Sequence, residues 1–154
     1  MASTAGTTNS FKLELLEGVH NFSSVNPART ANTVDVFKAA LYTTTATLGP
    51  TTTVYATTGE VGVGTTNYTA GGQTITNATN PVLYSNTATW TPSANITWTA
   101  LTAPTAFDTV LIYNSSQGNK TVSVHTFGAQ IVTAGNFTLT MPIPGAGTSL
   151  INLA

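Results

Sequence analysis

The chain predicts an all-β fold, an antiparallel β-sandwich or barrel-like domain with one short N-terminal helix. Three observations point there. Short runs of β-branched and aromatic residues recur, separated by Gly, Pro and Asn turns. A helical period is visible at one place only, so parallel βαβ units are not expected. One hairpin, Asp108–Phe127, has arms and a link of unmistakable β chemistry. Its first arm is Thr109-Val110-Leu111-Ile112-Tyr113, and its second runs from Lys120 to Phe127. The link Asn114–Asn119 holds only turn formers, with Gly and Asn available for positive φ. The first arm is apolar on both faces, which predicts a central strand with core or a neighbouring subunit on each side. In the second arm Val122 and Val124 alternate with Ser123 and His125, which predicts one buried face.

The remaining elements follow in chain order. Residues 1–10 are small and polar and predict a flexible N-terminal arm, frayed or ordered on a neighbouring subunit. Residues 11–154 predict a single β-sandwich domain. Ser10–Gly18 is the helix, with Phe11, Leu15 and Gly18 on one stripe, Ser10 as cap and Gly18 as terminator. Two turns are too few for propensity alone, so packing must hold it. Ser23–Thr33 is a polar loop. Val34–Thr44 predicts the first strong strand, and Thr45–Thr53 a loop around Gly49-Pro50. A short strand is expected within Val54–Val63. Gly71-Gly72 signals a turn into Gln73–Thr76. Pro81–Trp90 and Ile96–Leu101 are further strand regions, and Ala103–Phe107 links the second to the hairpin. Phe137–Met141 and Leu150–Leu153 complete the set. Leu111, Tyr113, Val122, Val124 and Trp98 are the expected buried side chains.

Composition limits the function classes. Charged residues are 6% and the formal net charge is −1, against about 25% charged residues in an ordinary globular chain. Lys12, Arg29, Lys38 and Lys120 are scattered, so nothing here grips nucleic acid, which needs clustered cations. Threonine is about a fifth of the chain and covers a pleated surface without charge. A surface with so little charge has weak protection against association, which favours one that is covered in an assembly. There is no cysteine, so thiolate metal sites, disulfides and a cysteine nucleophile are excluded; a reducing cytoplasm fits. Met1–Ser10 lacks the basic and apolar regions of a secretory signal, and no apolar run approaches the ~20 residues of a membrane span.

No catalytic, cofactor-binding or metal site is expected. His20 and His125 are far apart and lack ligand neighbours at useful spacing, so both are read as structural. Asp108 is placed to bond turn groups. Glu14 and Glu17 are read with Lys12 as a solvated helix face or a subunit contact. Asp35 and Glu60 stand alone in sequence, and the acids are too dispersed to nominate a glycosidase pair. Trp90, Trp98, Tyr55, Tyr68, Tyr84 and Tyr113 are read as core or interface anchors ahead of a carbohydrate platform. The Asn-x-Ser/Thr triplets Asn21–Ser23 and Asn136–Thr138 are read as chance products of a threonine-rich chain.

Six stretches together resemble a family of small structural proteins of tailed bacteriophages. They are Phe11–Phe22, Val36–Thr43, Tyr68–Gly72, Leu111–Ser115, Phe137–Pro142 and Leu150–Ala154. The resemblance implies a structural virion protein, and the role expected first within that setting is a capsid decoration or cement protein on the outer head surface; the scattered acids and histidines speak against an enzyme. That role carries the major capsid protein as partner, a homotrimeric state, no cofactor, and assembly in the bacterial host cytoplasm. A tail, neck or fibre component is the alternative within the same setting, and a host-glycan binding module the alternative outside it.

Overall fold

The computed structural model describes residues 2–16, 18–22, 34–62, 64–76 and 79–153. The predicted loop Ser23–Thr33 and Glu17 lie outside these. The fold is all-β and antiparallel, sandwich-like, with one short helix.

The chain opens with β1 (Gly6–Thr7) and α1 (Asn9–Leu16). In the N-terminal segment, read from sequence as a flexible arm, Ser3 and Thr4 bond to the 46–48 loop and Gly6–Thr8 to β7 of the main sheet. The Thr4 amide donates to the Leu48 carbonyl at 2.7 Å, and the Thr8 amide to the Val122 carbonyl at 3.1 Å. Small side chains let the backbone of this segment reach its neighbours. The helix cap falls earlier than expected, at Thr8, whose Oγ1 accepts the Phe11 amide at 3.4 Å. Ser10 sits inside the first turn. The C-terminal end behaves as the sequence indicates: Gly18 has φ 69°. Its amide donates to the Leu15 carbonyl while the Val19 amide reaches back to that of Glu14. These paired bonds form a Schellman closure.

Next come β2 (Phe37–Thr43) and β3 (Gln73–Thr74), then the hairpin of β4 (Val82–Tyr84) and β5 (Thr87–Trp90). The strand expected within Val54–Val63 is reduced to isolated bridges, Val54 to Lys120 and Tyr42 to Glu60. The strands expected at Ile96–Leu101 and Thr109–Tyr113 are one continuous strand, β6 (Ile96–Asn114). Likewise, β7 (Lys120–Leu139) merges the Lys120–Phe127 and Phe137–Met141 predictions. The supposed link Ala103–Phe107 stays extended because bulges absorb its irregularity. Pairing shifts register repeatedly between Trp98 and Thr109. The chain closes with β8 (Ile151–Leu153).

The main sheet has the order β1-β7-β6-β2-β3, and the small sheet β4-β5-β8. Strand β6 is therefore central, as its two-sided apolar pattern predicts. One core cluster holds Phe37, Ile112 and Val122 of the main sheet with Trp90 and Ile151 of the small sheet, sealed by Phe11 and Phe22. The Phe22 ring stacks on Phe37 at 4.4 Å. A second cluster, on the other face, holds Ala40, Tyr42, Leu111, Tyr113 and Val124 beneath Leu48 and Tyr55. All five residues expected to be buried are buried. Val122 and Val124, however, do not share a face. Ile112 pairs with Ser123 and Tyr113 with Thr121. Val122 is the extra residue of a bulge, so the parity of side chains changes there.

Candidate interaction surface

Most of the titratable side chains among the described residues fall into three polar clusters. The first joins α1 to the hairpin tip. Glu14, expected on a solvated helix face or at a subunit contact, is buried within the chain itself. Its Oε2 lies 2.8 Å from His20 Nε2, and Lys120 Nζ donates to its Oε1 at 2.5 Å. Burial opposes ionisation of Glu14, but the hydrogen bonds from Lys120 and His20 and the Lys120 charge outweigh it. Its carboxyl is held below the usual range. Asp35, isolated in sequence, accepts from the Asn21 amide, Asn114 Nδ2 and Gln117 Nε2. It thereby ties the approach to β2 to the hairpin turn. Asp108 Oδ1 accepts a bond from Thr109 Oγ1, its own neighbour.

The second cluster is centred on Glu60. Tyr55 and Tyr68 hydroxyls donate to its two oxygens at 2.6 and 2.8 Å, and the Gly71 amide donates at 2.7 Å. Tyr113 donates to the Gly71 carbonyl at 2.7 Å and stacks on Tyr55. Burial, then the Glu60 charge, pushes the Tyr113 phenol up to about 12. The same causes raise Tyr42, Tyr55 and Tyr68. A carboxylate holding hydroxyl donors in place is a fastener for the 55–72 segment. The third cluster is Ser123 Oγ against His125 Nε2 at 2.8 Å. Burial lowers the His125 pKa, so the ring favours its neutral form. It borders an apolar cleft of about 260 Å³ beside Leu139, Met141 and Leu150.

Among the described residues no three His, Cys, Asp or Glu side chains converge as metal ligands. No helix among them is long and apolar enough to cross a membrane. Trp90 and Trp98 are core residues, and Trp90 donates its indole N–H to the Thr79 carbonyl at 3.0 Å. They present no face to a sugar, so the tryptophan platform is removed. Tyr68 and Tyr113 are likewise engaged internally through their hydroxyls.

The surface shows a division that sequence reading by residue type misses. No Asp, Glu, Lys, Arg or His lies between Glu60 and Asp108, nor after His125. The fold uses these two stretches to build β3, the whole small sheet, the first part of β6 and the last part of β7. This part of the molecule carries no charged side chain. It also holds six of the nine exposed large apolar residues among those described: Val82, Leu83, Tyr84, Ile131, Ile143 and Leu153. The signal was readable as a spacing of charges along the chain. Its meaning needed the topology that gathers both stretches.

The small sheet shows how the apolar surface arises. Trp90 pairs with Ile151, and that row is buried against Phe22 and Phe37. Two residues along, Leu83, Ala88 and Leu153 form the next row of the same face. That row is exposed, Leu83 at 69%. The core-facing side of the sheet thus runs past the body that covers it. Ile143, 81% exposed between Pro142 and Pro144, is the most prominent single apolar side chain.

Comparison of the chain with protein-family models, with curated proteins and with solved structures finds no match.

Proposed function

We propose that this chain is a structural protein of a tailed-phage virion. In its most direct form it is a capsid decoration, or cement, protein that binds the outer head surface and stabilises contacts between capsomers. The observation that carries the reading is the charge-free part of the fold, with exposed apolar side chains on the small sheet and the 142–144 segment. The cores of protein interfaces are depleted in charge, and an apolar surface left open on one chain marks a place that another covers. The resemblance of its six stretches to small tailed-phage structural proteins supplies the setting. The partner is the major capsid protein, and the subunits act as a homotrimer. Linked footprints make weak individual contacts strong by avidity. Its work is to occupy area, and it turns over no substrate.

Mixing the purified protein with undecorated heads tests this. Saturable binding together with a rise in the temperature at which heads rupture is expected. Heads that neither bind it nor gain heat resistance would remove the cement reading. Imaging virions that carry a label on this protein then separates the outer shell from the tail, neck or fibre.

A further inference from the structure

We infer that His20 is a proton-operated latch between α1 and the tip of the β6–β7 hairpin. His20 is buried, and both ring nitrogens are engaged: Nε2 with Glu14 Oε2 at 2.8 Å, Nδ1 with Asn114 Nδ2 at 3.1 Å. The Asn114 amide has one sensible orientation. Its Oδ1 accepts the Ser116 amide at 3.1 Å, and its Nδ2 donates to Asp35 Oδ2 at 2.7 Å. An amide nitrogen has two hydrogens and no acceptor capacity. The second hydrogen therefore points at His20 Nδ1, which must be the bare nitrogen. The single ring proton sits on Nε2 and is donated to Glu14.

This chain of donors runs in one direction, from Ser116 through Asn114 and His20 to Glu14. It accepts a neutral ring only. A second proton on Nδ1 would set an N–H against the N–H of Asn114. Turning the Asn114 amide over to receive it would surrender the bonds to Ser116 and Asp35. Meanwhile, the charged ring would bind Glu14 more strongly. Protonation therefore tightens the helix side of the latch and opens the hairpin side. The charged groups facing this site among the described residues are Glu14 from α1, Lys120 from β7 and, across Asn114, Asp35 from the segment before β2. The rings of Phe11 and Phe22 close the remaining sides.

Two measurements on the intact chain test this. In a nitrogen-15 spectrum of the imidazoles near neutral pH, His20 should carry its proton on Nε2. A ring protonated on Nδ1, or doubly protonated throughout, overturns the latch. Amide exchange, corrected for its intrinsic pH dependence, should then be followed as the His20 ring titrates. Protection of the Ser116 amide should fall at least ~10-fold as the ring charges, because local opening governs that exchange. Leu111 and Val124, central in the sheet, should hold their protection. Unchanged protection at Ser116 through the titration overturns the latch. In His20→Gln, which cannot take the proton, Ser116 protection should not respond to acid. If that variant fails to fold, the wild-type tautomer and exchange profile decide alone.

Discussion

At the scale of single residues, isolation in sequence proved a poor guide to isolation in space. Asp35 and Glu60 have no acidic or histidine neighbour close along the chain, and Glu14 has only Glu17 and His20. In the fold each is a hub: Glu14 for His20 and Lys120, Asp35 for Asn21, Asn114 and Gln117, and Glu60 for Tyr55, Tyr68 and Gly71. Burial of Leu111, Tyr113, Val122, Val124 and Trp98 was legible because apolar alternation reports burial directly. Polar pairing was not legible, because it depends on how turns and segments fold back on one another, across the chain for Lys120 and Glu14 and within one irregular stretch for Glu60. Glu60 shows what such pairing does. The folded tyrosines around it keep their protons above the ordinary phenol value of about 10, first through burial and then through the Glu60 charge. The unfolded chain gives those protons up near that value. The folded state therefore binds more protons there, and its stability must fall as pH rises past about 10. Tyrosinate absorbance and far-ultraviolet circular dichroism, followed together against pH, should show Tyr42, Tyr55, Tyr68 and Tyr113 ionising as the fold is lost. Glu60→Gln should bring tyrosinate absorbance to lower pH and cost about 1–3 kcal/mol from weakened bonds to buried donors. Phenols that all titrate near pH 10 in a wild-type chain still fully folded would contradict this account.

At the scale of elements, local chemistry located the hairpin turn well and the strand lengths poorly. Asn114–Asn119 reads as a turn and is one, with Gly118 at φ 63° and Asn119 at 60°. What the pattern concealed is that β6 and β7 continue far beyond it. Pro104, Gly128 and Gly135 look like breaks, yet the ladder passes them by shifting register. A bulge conserves pairing while destroying the period that a sequence pattern relies on. Turn glycines differ in the same way between local and tertiary demands. Gly72 has φ 70° and lies so close to β2 that an added Cβ would strike the Ala39 carbonyl oxygen. Gly118 has a similar φ of 63°, with open space where a Cβ would stand. Backbone strain alone should make Gly118→Ala cost on the order of 1–2 kcal/mol. Gly72→Ala adds a collision with the strand backbone, so its loss should exceed that of Gly118→Ala by at least ~2 kcal/mol or prevent folding. Urea unfolding midpoints of the two variants compare them directly. Equal losses would mean that β2 can move away from Gly72 without consequence.

At the scale of the whole molecule, the feature that matters is where charge is withheld. A globular chain ordinarily spreads ionised groups over its surface, where they keep it soluble and blunt the exposed edges of sheets. Here the edge strands β4 and β8 and the distal part of β7 have none. The bulges in β7 twist one edge out of line, but β4 pairs regularly with β5 through all three of its residues, and no strand among the described residues pairs with its other side. Such a surface is unfavourable to leave bare and easy to cover. That asymmetry makes a specific demand on variants. Leu83→Lys and Leu153→Lys replace side chains exposed in the isolated chain, so each should alter folding stability by no more than about 0.5 kcal/mol. In a covered interface the same charge must be desolvated without a partner, and truncated or unpaired charges at such places cost about 2–5 kcal/mol. Binding to undecorated heads should therefore weaken by roughly 30-fold or more, since 1.4 kcal/mol is a factor of ten. Gln117→Lys, at the charged end of the fold, serves as the contrast, after its own stability has been measured to allow for the lost Asp35 bond. If Leu83→Lys and Leu153→Lys both bind heads as the wild type does, the small sheet is not the contact, whatever else the protein attaches to.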